Sequence, residues 1–320
     1  MDVNKMQIQW YPGHMHKAQK AVRDILPQVD LIIEVLDARI PFSSENPMIA
    51  QLRGDKPTLK ILNKSDLADS EKVQQWQDYF ATSSHIQTLA IHAQQADRKE
   101  RILNQIKQMV PRTDNSVKII HALILGIPNV GKSTLINTLA SRTIAKTGNE
   151  PAVTKILQRI KLEGGITLFD SPGLLWPNIE NSHSGYRLAI TGGIKETAFE
   201  LPDIASYAAE YCLKAYPERL KQRYQLSELP ADGPAPEITF LEQIGKSRGC
   251  LVSGGQVNLD KISRIFINEL REGLLGPICF ELPENMIEES QQVEAQRILK
   301  AAKKQQRLEA KKNKQSKRRR

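Results

Sequence analysis

Residues 118–133 read KIIHALILGIPNVGKS, an apolar run that passes directly into a glycine-rich loop. The loop fits the pattern G-x-x-x-x-G-K-[ST], with Gly126, Gly131, Lys132 and Ser133 in the fixed places. A strand-like run precedes it and a helical pattern, STLINTLA, follows it, which is the context that a phosphate-binding loop requires. A plain structural turn is the alternative, and the match at all four positions argues against it. The stretch predicts a strand–loop–helix unit of an α/β domain.

Five further segments have the character of strands. They are VDLIIEVLD (29–37), TLKILNKSD (58–66), QTLAIHA (87–93), KILQRIKL (155–162) and ITLFDSPG (166–173). Near-continuous apolar runs are typical of strands buried on both faces, whereas the alternation in 155–162 indicates an edge or half-buried strand. Helical patterns lie between several of them, such as SEKVQQWQDYF (70–80), which Ser70 can cap. We therefore predict a doubly wound, mostly parallel sheet that binds its ligand at the carboxyl ends of the strands.

The pattern changes near Trp176, after which long segments have helical periodicity and no strand-like run. We predict an α/β domain over residues 1–175, a smaller all-helical domain over 176–283, and a basic tail over 284–320. The tail has helix-forming residues but few apolar ones, so we expect it to be disordered or helical only when bound.

The positive charge of the chain is concentrated in this tail. From Arg297 to the end there are 12 lysines and arginines and one acid, Glu309, a net of +11 in a chain of +9, so the rest carries −2. A block of like charge stays solvated and seeks a polyanion, and nucleic acid is the expected one. A merely solubilising tail is the alternative.

Composition narrows the class of protein further. No run approaches the roughly 20 apolar residues of a membrane span, and the amino terminus has no signal-peptide pattern. The three cysteines, Cys212, Cys250 and Cys279, have neither metal-ligand nor disulfide spacing. We expect a cytoplasmic protein, in the reduced state, without a membrane partner.

Candidate phosphate and metal ligands follow from the loop pattern. Its backbone amides and the helix amino terminus would surround phosphate oxygens, with Lys132 on the β- and γ-phosphates. DSPG (170–173) follows a strand, so Asp170 and Ser133 are candidate Mg²⁺ ligands, with Thr154 joining them in the triphosphate state. The predicted phosphate-binding residues are Asn129, Val130, Gly131, Lys132, Ser133, Thr134 and Gly173.

The quartet NKSD (63–66) predicts guanine recognition. Asp66 can accept both hydrogen-bond donors of the guanine edge, Asn63 can tie the base to the neighbouring loop, and the Lys64 stem can cover a base face. Such a site leaves buried polar groups unpaired with adenine. The quartet precedes the phosphate loop, whereas GTPases usually have it afterwards. Strand ends meet in space whatever their order along the chain, so we interpret the order as a circular permutation of a P-loop GTPase domain.

These motifs together resemble one family. WYPGHMHKA at the start, VDLIIEVLDARIPFSSENP (29–47), LNKSDL, GIPNVGKSTLIN, TGNEPAVTK, DSPGLL and GGQVNLDKISRIFINELREGLLG are similar to the circularly permuted ribosome biogenesis GTPase A family. The resemblance covers roughly residues 8–280. It implies a GTPase with low intrinsic rate, stimulated by the ribosome, that binds the large ribosomal subunit precursor and its rRNA and acts late in assembly. GTP, Mg²⁺ and K⁺ are the implied cofactors, and we expect a monomer.

The resemblance also implies roles for particular residues. Leu174 stands where other GTPases carry a catalytic glutamine, so water must be activated by another group. The family resemblance points to His14, whose alternatives are to support the Pro12–Gly13 turn or to contact RNA. Asn129 resembles a K⁺ ligand that supplies positive charge to the transition state. The last guanine contacts would come from His92 and Ala93. The chain has PAVT where the family has PGxT, with Ala152 in place of glycine.

Two other functions remain as alternatives. One is an RNA-binding assembly scaffold whose nucleotide is structural and hydrolysed negligibly. The other is the permuted small-subunit GTPase, which would carry an N-terminal β-barrel and a Cys/His zinc cluster, and neither pattern is present in this sequence.

Overall fold

A central sheet organises the first half of the protein. We describe it from a computed structural model that covers residues 13–111, 119–144, 158–230 and 233–317, with the side chains of 14, 300, 303, 304 and 307–317 left out. The strands are β1 (Leu31–Asp37), β2 (Thr58–Asn63), β3 (Ile86–Ala90), β4 (Ile120–Gly126), β5 (Gln158–Leu162) and β6 (Ile166–Asp170). Their order in the sheet is β3-β2-β1-β4-β6-β5.

All pairings in this sheet are parallel except that of β5 with β6. The predicted doubly wound, mostly parallel α/β fold is therefore confirmed, and so is the edge position of the alternating segment. In β5 only Ile160 is buried, whereas all seven residues of β1 are buried. A central parallel strand is covered by helices on both faces, which explains its uninterrupted apolar sequence.

The register places the carboxyl ends of four strands at one edge. Asp37 pairs with Asn63 at the ends of β1 and β2, and Val35 pairs with Gly126 at the end of β4. On the other side of β4, Ile124 pairs with Asp170, the last residue of β6. The loops that leave these strands must therefore lie beside one another.

Twelve α-helices occur among the described residues. In the first half they are α1 (His14–Ile25), α2 (Pro41–Ser44), α3 (Pro47–Arg53), α4 (Ser70–Ala81), α5 (Arg98–Met109) and α6 (Lys132–Ala140). In the second half they are α7 (Ser182–Thr191), α8 (Leu201–Ala215), α9 (Pro217–Tyr224), α10 (Pro236–Ser247), α11 (Leu259–Arg271) and α12 (Pro283–Lys317).

Helix α4 begins one residue after its cap, and the cap is Asp69 rather than the predicted Ser70. The Asp69 carboxylate accepts hydrogen bonds from the amides of Glu71 at 3.2 Å and Lys72 at 3.4 Å. An ionised cap also interacts favourably with the positive end of the helix dipole, which a serine cannot do.

The second half is helical, as the periodicity predicts, and it packs around aromatic side chains. Phe240 of α10 and Phe266 of α11 are both fully buried, with ring centroids 5.7 Å apart in an edge-to-face arrangement. Tyr224 at the end of α9 stacks edge-on against Phe240 at 5.6 Å. Aromatic pairs of this kind stabilise a core beyond the area that they bury.

Helix α12 extends over the segment that we expected to be disordered or conditionally helical. Its first turns are anchored, since Met286 is buried and Glu289 pairs with Arg187 of α7 at 2.6 Å. Farther along, Ile298 and Leu299 are 62% and 59% exposed, so this part has little packing to hold it. The predicted division at residues 175 and 283 stays a prediction. No described helix combines the length and apolar character needed to cross a bilayer.

Candidate nucleotide-binding site

The loop after β4 begins the site, and its backbone is shaped by a glycine that contacts another motif. Gly131 caps α6 with a φ of 94°, which favours glycine. A β-carbon at Gly131 would lie 2.2 Å from Nδ2 of Asn63, in the NKSD loop. The close approach of these two loops therefore depends on the missing side chain. The amides that begin α6 point toward the same edge of the sheet and can bind an anion.

Lys132, the first residue of α6, forms a buried ion pair with Oδ1 of Asp170 at the end of β6. Burial lowers the pKa of Lys132, although the carboxylate opposes this effect. Burial likewise raises the pKa of Asp170, although the ammonium opposes it. Both directions mean that burial penalises the charged forms of the two side chains.

The residues present fit a Mg²⁺ ion bound through a nucleotide. Oδ2 of Asp170 is buried and has no hydrogen-bond partner among the described residues. Ser133, the residue after Lys132, is half-buried. The described part of the chain contains no cluster of three His, Cys, Asp or Glu side chains that could hold a metal alone. One carboxylate with a hydroxyl suits Mg²⁺ that keeps waters and phosphate ligands. Thr154, the third predicted ligand, lies outside the described residues.

The DSPG segment packs directly on the phosphate loop. A β-carbon at Gly173 would lie 3.1 Å from the Pro128 nitrogen, so the two backbones touch. The amide of Leu174 then donates to the carbonyl of Gly126 at 3.0 Å. Leu174 itself is fully buried. A side chain in that position cannot orient water in the site, in agreement with the sequence-based expectation.

The NKSD loop is bonded to the phosphate loop by two side chains. Nδ2 of Asn63 donates to the Val130 carbonyl at 2.8 Å, and Nζ of Lys64 donates to the Asn129 carbonyl at 2.8 Å. Lys64 has a φ of 60°, in the left-handed region, so the loop is held in an uncommon conformation by these bonds. Asp66 is exposed, and its carboxylate can therefore receive a ligand without first leaving a buried site.

Two residues that our sequence reasoning did not select, Asp37 and Arg39, fix this end of the site. Oδ2 of Asp37 accepts from Nζ of Lys64 at 2.9 Å and from Nη2 of Arg39 at 2.8 Å. Burial alone would raise the pKa of Asp37, but Arg39 and Lys64 together hold it well below its usual range. A carboxylate that directly ends a buried strand, beside the NKSD strand, is the signal that could have identified Asp37.

The loop after β3 carries the weakest of the predicted contacts. Its Ile91 carbonyl accepts from the Ser65 amide at 3.1 Å, which ties this loop to the NKSD quartet. His92 is half-buried and Ala93 is exposed. Both therefore lie next to the predicted guanine edge, and whether they contact a base stays a prediction.

Asn129 connects the phosphate loop to the helical half of the chain. Its Nδ2 donates to the carbonyl of Gly192, the residue that caps the end of α7, at 2.8 Å. This amide, predicted to ligate K⁺, thus has a protein partner in this structure. Val130 is buried and Thr134 is exposed at the same loop. His14 is the first residue of α1, and its side chain lies outside the description.

Comparison with known proteins agrees with this geometry. A family model described as 50S ribosome-binding GTPase matches residues 121–204. Ribosome biogenesis GTPase A of Bacillus cereus is 46% identical over 296 residues, which cover 90% of this chain and 98% of that protein. The similarity therefore extends through both the sheet and the helical half.

Solved structures are similar over the same extent. The GDP-bound structure of TM YlqF has a TM-score of 0.59 and 25% identity, covering 82% of this chain and 99% of that one. GNP-bound YlqF from T. maritima has a TM-score of 0.58 and 25% identity, covering 84% of this chain and 99% of that one. The early position of the NKSD strand is consistent with these neighbours.

Proposed function

This chain belongs to the ribosome biogenesis GTPase A family, and from that premise we propose that it binds the precursor of the large ribosomal subunit. In this proposal it promotes a late assembly step as the GTP complex, and hydrolysis releases it. The observation that carries the proposal is the meeting of base, phosphate and DSPG loops at one sheet edge. Asn63 and Lys64 bond the base loop to the phosphate loop, and the Leu174 amide bonds the DSPG segment to it. A cytoplasmic monomer is the form in which we expect it to act.

The proposed recognition of GTP divides between the two ends of this edge. Asp66 accepts the guanine donors, while Asn63 and Lys64 hold the loop that presents it. Lys132 leaves Asp170 for the β- and γ-phosphates. The freed Asp170 carboxylate would then hold Mg²⁺ together with Ser133 and Thr154. Mg²⁺ supplies charge neutralisation for the phosphates when it is bound.

The proposed hydrolysis is slow in the isolated protein. Leu174 is buried, and the DSPG segment offers no glutamine to orient the attacking water. We propose that the ribosomal particle accelerates the reaction and that His14 orients water, with an RNA contact as its alternative role. Asn129 is the proposed K⁺ ligand. To bind K⁺, the side-chain oxygen of Asn129 must face the phosphates, whether or not Nδ2 keeps its hydrogen bond to the Gly192 carbonyl.

Steady-state hydrolysis of GTP and ATP tests this proposal. The assay is run in KCl and in NaCl, with purified large subunits, small subunits or neither. We expect turnover of GTP only, stimulated by large subunits, and faster in KCl. Equal turnover with and without particles would contradict ribosome stimulation. Negligible turnover under all conditions, with retained RNA binding, would favour the assembly scaffold.

The proposed rRNA contact of the tail has its own test. Truncation before Arg297 removes the +11 segment, and each lost phosphate contact reduces the number of counterions released on binding. We expect weaker RNA binding with a flatter dependence on salt, measured by fluorescence anisotropy at several KCl concentrations. An unchanged slope would assign the tail to solubility alone.

A further inference from the structure

The connection between β1 and β2 begins with a short helix that a carboxylate from the far end of the chain holds in place. Oε2 of Glu281 accepts from the Phe42 amide at 2.8 Å, and Oε1 accepts from the Ser43 amide at 3.0 Å. The Ser43 hydroxyl donates to the same carboxylate. These amides belong to the first turn of α2, where they have no partner within the helix. Glu281 is only 1% exposed, so these bonds are protected from water.

The same connection between β1 and β2 is hydrogen-bonded to Leu174, the residue that follows DSPG. Asn46 is also 1% exposed, and its Oδ1 accepts from the Met48 amide at 3.0 Å, which caps α3. Its Nδ2 is thereby directed outward from the cap and donates to the Leu174 carbonyl at 3.1 Å. The Asn46 amide is itself fixed, since it donates to Oε1 of buried Glu34 at 3.3 Å. One asparagine thus joins a helix cap to the DSPG segment.

Leu174 is therefore held at both of its backbone groups. Its amide donates to Gly126 of the phosphate loop, and its carbonyl accepts from Asn46. Gly173, immediately before it, touches Pro128 and has no side chain to fix its own orientation. The Gly173 amide shares its peptide plane with the Pro172 carbonyl, which accepts from the Ser171 hydroxyl at 3.2 Å, and the two bonds at Leu174 fix the chain on the other side of Gly173.

We propose that Asn46 and Glu281 are positioning residues that aim the Gly173 amide at the γ-phosphate. Glu281 orders α2, the ordered corner places Asn46, and Asn46 fixes the chain next to Gly173. This inference rests on the proposed function, because it takes Gly173 as the γ-phosphate contact. It predicts that the two residues affect binding of the triphosphate and not of the diphosphate.

The position of Glu281 makes this arrangement sensitive to the helical half. The Phe280 amide donates to the Arg39 carbonyl at 2.8 Å, and Nε1 of Trp76 donates to the Glu281 carbonyl at 3.2 Å. The Ser43 hydroxyl also lies 2.9 Å from the hydroxyl of Ser184 on α7. A displacement of α7 or of the chain at 280–281 would move α2, and with it the corner that holds Leu174.

Asn46→Ser tests the proposal most directly. Serine can still cap α3 but cannot reach the Leu174 carbonyl. Asn258→Ser is the matched control, because Asn258 caps α11 through Lys261 at 2.9 Å. Affinities for GDP and for a non-hydrolysable GTP analogue are measured by competition with a fluorescent nucleotide. We expect Asn46→Ser to weaken the analogue about tenfold, the effect of one lost buried hydrogen bond. GDP affinity stays within about twofold, and the control changes neither.

Glu281→Gln is the second variant, with Glu269→Gln as its control. Glu269 is also a buried glutamate of the helical half, and it bonds Arg223 at 2.6 Å and Tyr224 at 2.7 Å. The glutamine keeps one acceptor oxygen but places its NH₂ group against a backbone N–H of α2. We therefore expect the same selective loss of affinity for the analogue. If Asn46→Ser does not fold, this pair of variants decides.

The outcomes separate this inference from the proposed function. Equal losses for analogue and GDP, or no loss, in a protein that still selects GTP over ATP would overturn the positioning roles alone. A wild-type protein that fails to select GTP over ATP would overturn the proposed function first. A selective loss in either variant, with both controls unchanged, supports the proposal.

Discussion

At the predicted guanine end of the site, buried side chains already hold the loops, whereas at the predicted metal end the two candidate ligand-binding groups, Lys132 and Asp170, hold each other. Asp37 fixes Lys64 through a 2.9 Å ion pair, and Asn63 fixes the phosphate loop at 2.8 Å. At the other end Lys132 and Asp170 are paired, and the second Asp170 oxygen has no described partner. The bonds at the guanine end can persist when nucleotide binds. The pair at the metal end has to be exchanged.

This difference separates recognition from switching. A loop that is ordered before binding loses little conformational entropy on binding, so more of its contact energy appears as affinity. A group that changes partner with the ligand reports which ligand is present, and this is how ordered and released states arise in GTPases. Under the proposed function, base selection belongs to the guanine end and the response to the γ-phosphate belongs to the metal end.

Lys132→Ala should give the largest effect, because it acts on binding and on the unliganded pair together. It removes the phosphate contact and leaves Asp170 buried without its counter-ion. Losing a buried partner of this kind costs about 3–5 kcal/mol of stability. The loss of the charged phosphate contact should lower affinity for both GTP and GDP by about a hundredfold. Isothermal titration calorimetry measures the loss.

GTP-dependent binding to large subunits should disappear in the same Lys132→Ala variant. Lys99→Ala is the control. It breaks a surface ion pair with Glu163 at 3.0 Å and should leave nucleotide affinity and particle binding unchanged. Particle binding that persists in Lys132→Ala would show that nucleotide does not control assembly, and would favour the scaffold.

Asp37→Asn should mainly reduce stability. Arg39 is only 3% exposed, and the substitution leaves its guanidinium without the buried counter-ion that it contacts at 2.8 Å. We expect the free energy of unfolding to fall by about 3 kcal/mol, measured by urea denaturation. Selectivity for GTP over ATP should fall with it, because Lys64 loses its anchor. A variant as stable as the wild type would refute the view that this end is ordered by buried charge.

Asp66→Ala should separate binding from stability at the same end. The carboxylate is exposed, so its removal should leave the urea midpoint unchanged. The loss of a bidentate charge-assisted contact should weaken GTP by about a hundredfold or somewhat less. Asp78→Ala, an exposed acid on α4, is the control and should change neither quantity. A fall in stability in Asp66→Ala would mean that this carboxylate has a structural role in the unliganded protein.

Much of the arrangement of strands and loops at both ends of the site follows from local sequence. The six strands are short apolar or alternating runs, and a parallel sheet brings their carboxyl ends together without further information. The NKSD and P-loop motifs therefore predicted which loops would meet, even in permuted order. The cap of α4 was wrong by one residue because Asp69 and Ser70 can both cap a helix, and only the structure shows which one does.

The side chains that stabilise the site could not be predicted in this way. Ser43 and Glu281 are 238 positions apart, and Arg39 contacts the Leu270 and Arg271 carbonyls 231 and 232 positions away. No periodicity connects such distant residues. The tail was difficult for a different reason, since α12 has helical propensity but only its first turns pack, and propensity alone does not decide whether an exposed segment is ordered.

Two buried glutamates give the smallest and finest test, through the dependence of stability on pH. Glu281 is surrounded by Arg187 of α7 at 3.7 Å, by Glu289 of α12 bonded to that arginine, and by Tyr207 of α8. Burial raises the pKa of Glu281 from its ordinary 4.5 to about 7. The pKa of Glu269 is shifted in the opposite direction. Burial would raise it, but Arg223 and Tyr224 hold it below its ordinary value.

The sign of the expected effect follows from where each proton is bound. Between pH 4.5 and about 7 the folded protein keeps a proton on Glu281 that the unfolded chain releases, so the free energy of unfolding falls as pH rises. The whole fall is at most about 3 kcal/mol, or roughly 1 kcal/mol per pH unit. Glu281→Gln should flatten it in urea titrations across this window. Glu269→Gln should not, because Glu269 stabilises the protein above its ordinary pKa and loses that contribution only as pH falls. A slope unchanged by Glu281→Gln would mean that Arg187 keeps Glu281 ionised, and the metal end would then be anchored by a charged pair like the guanine end.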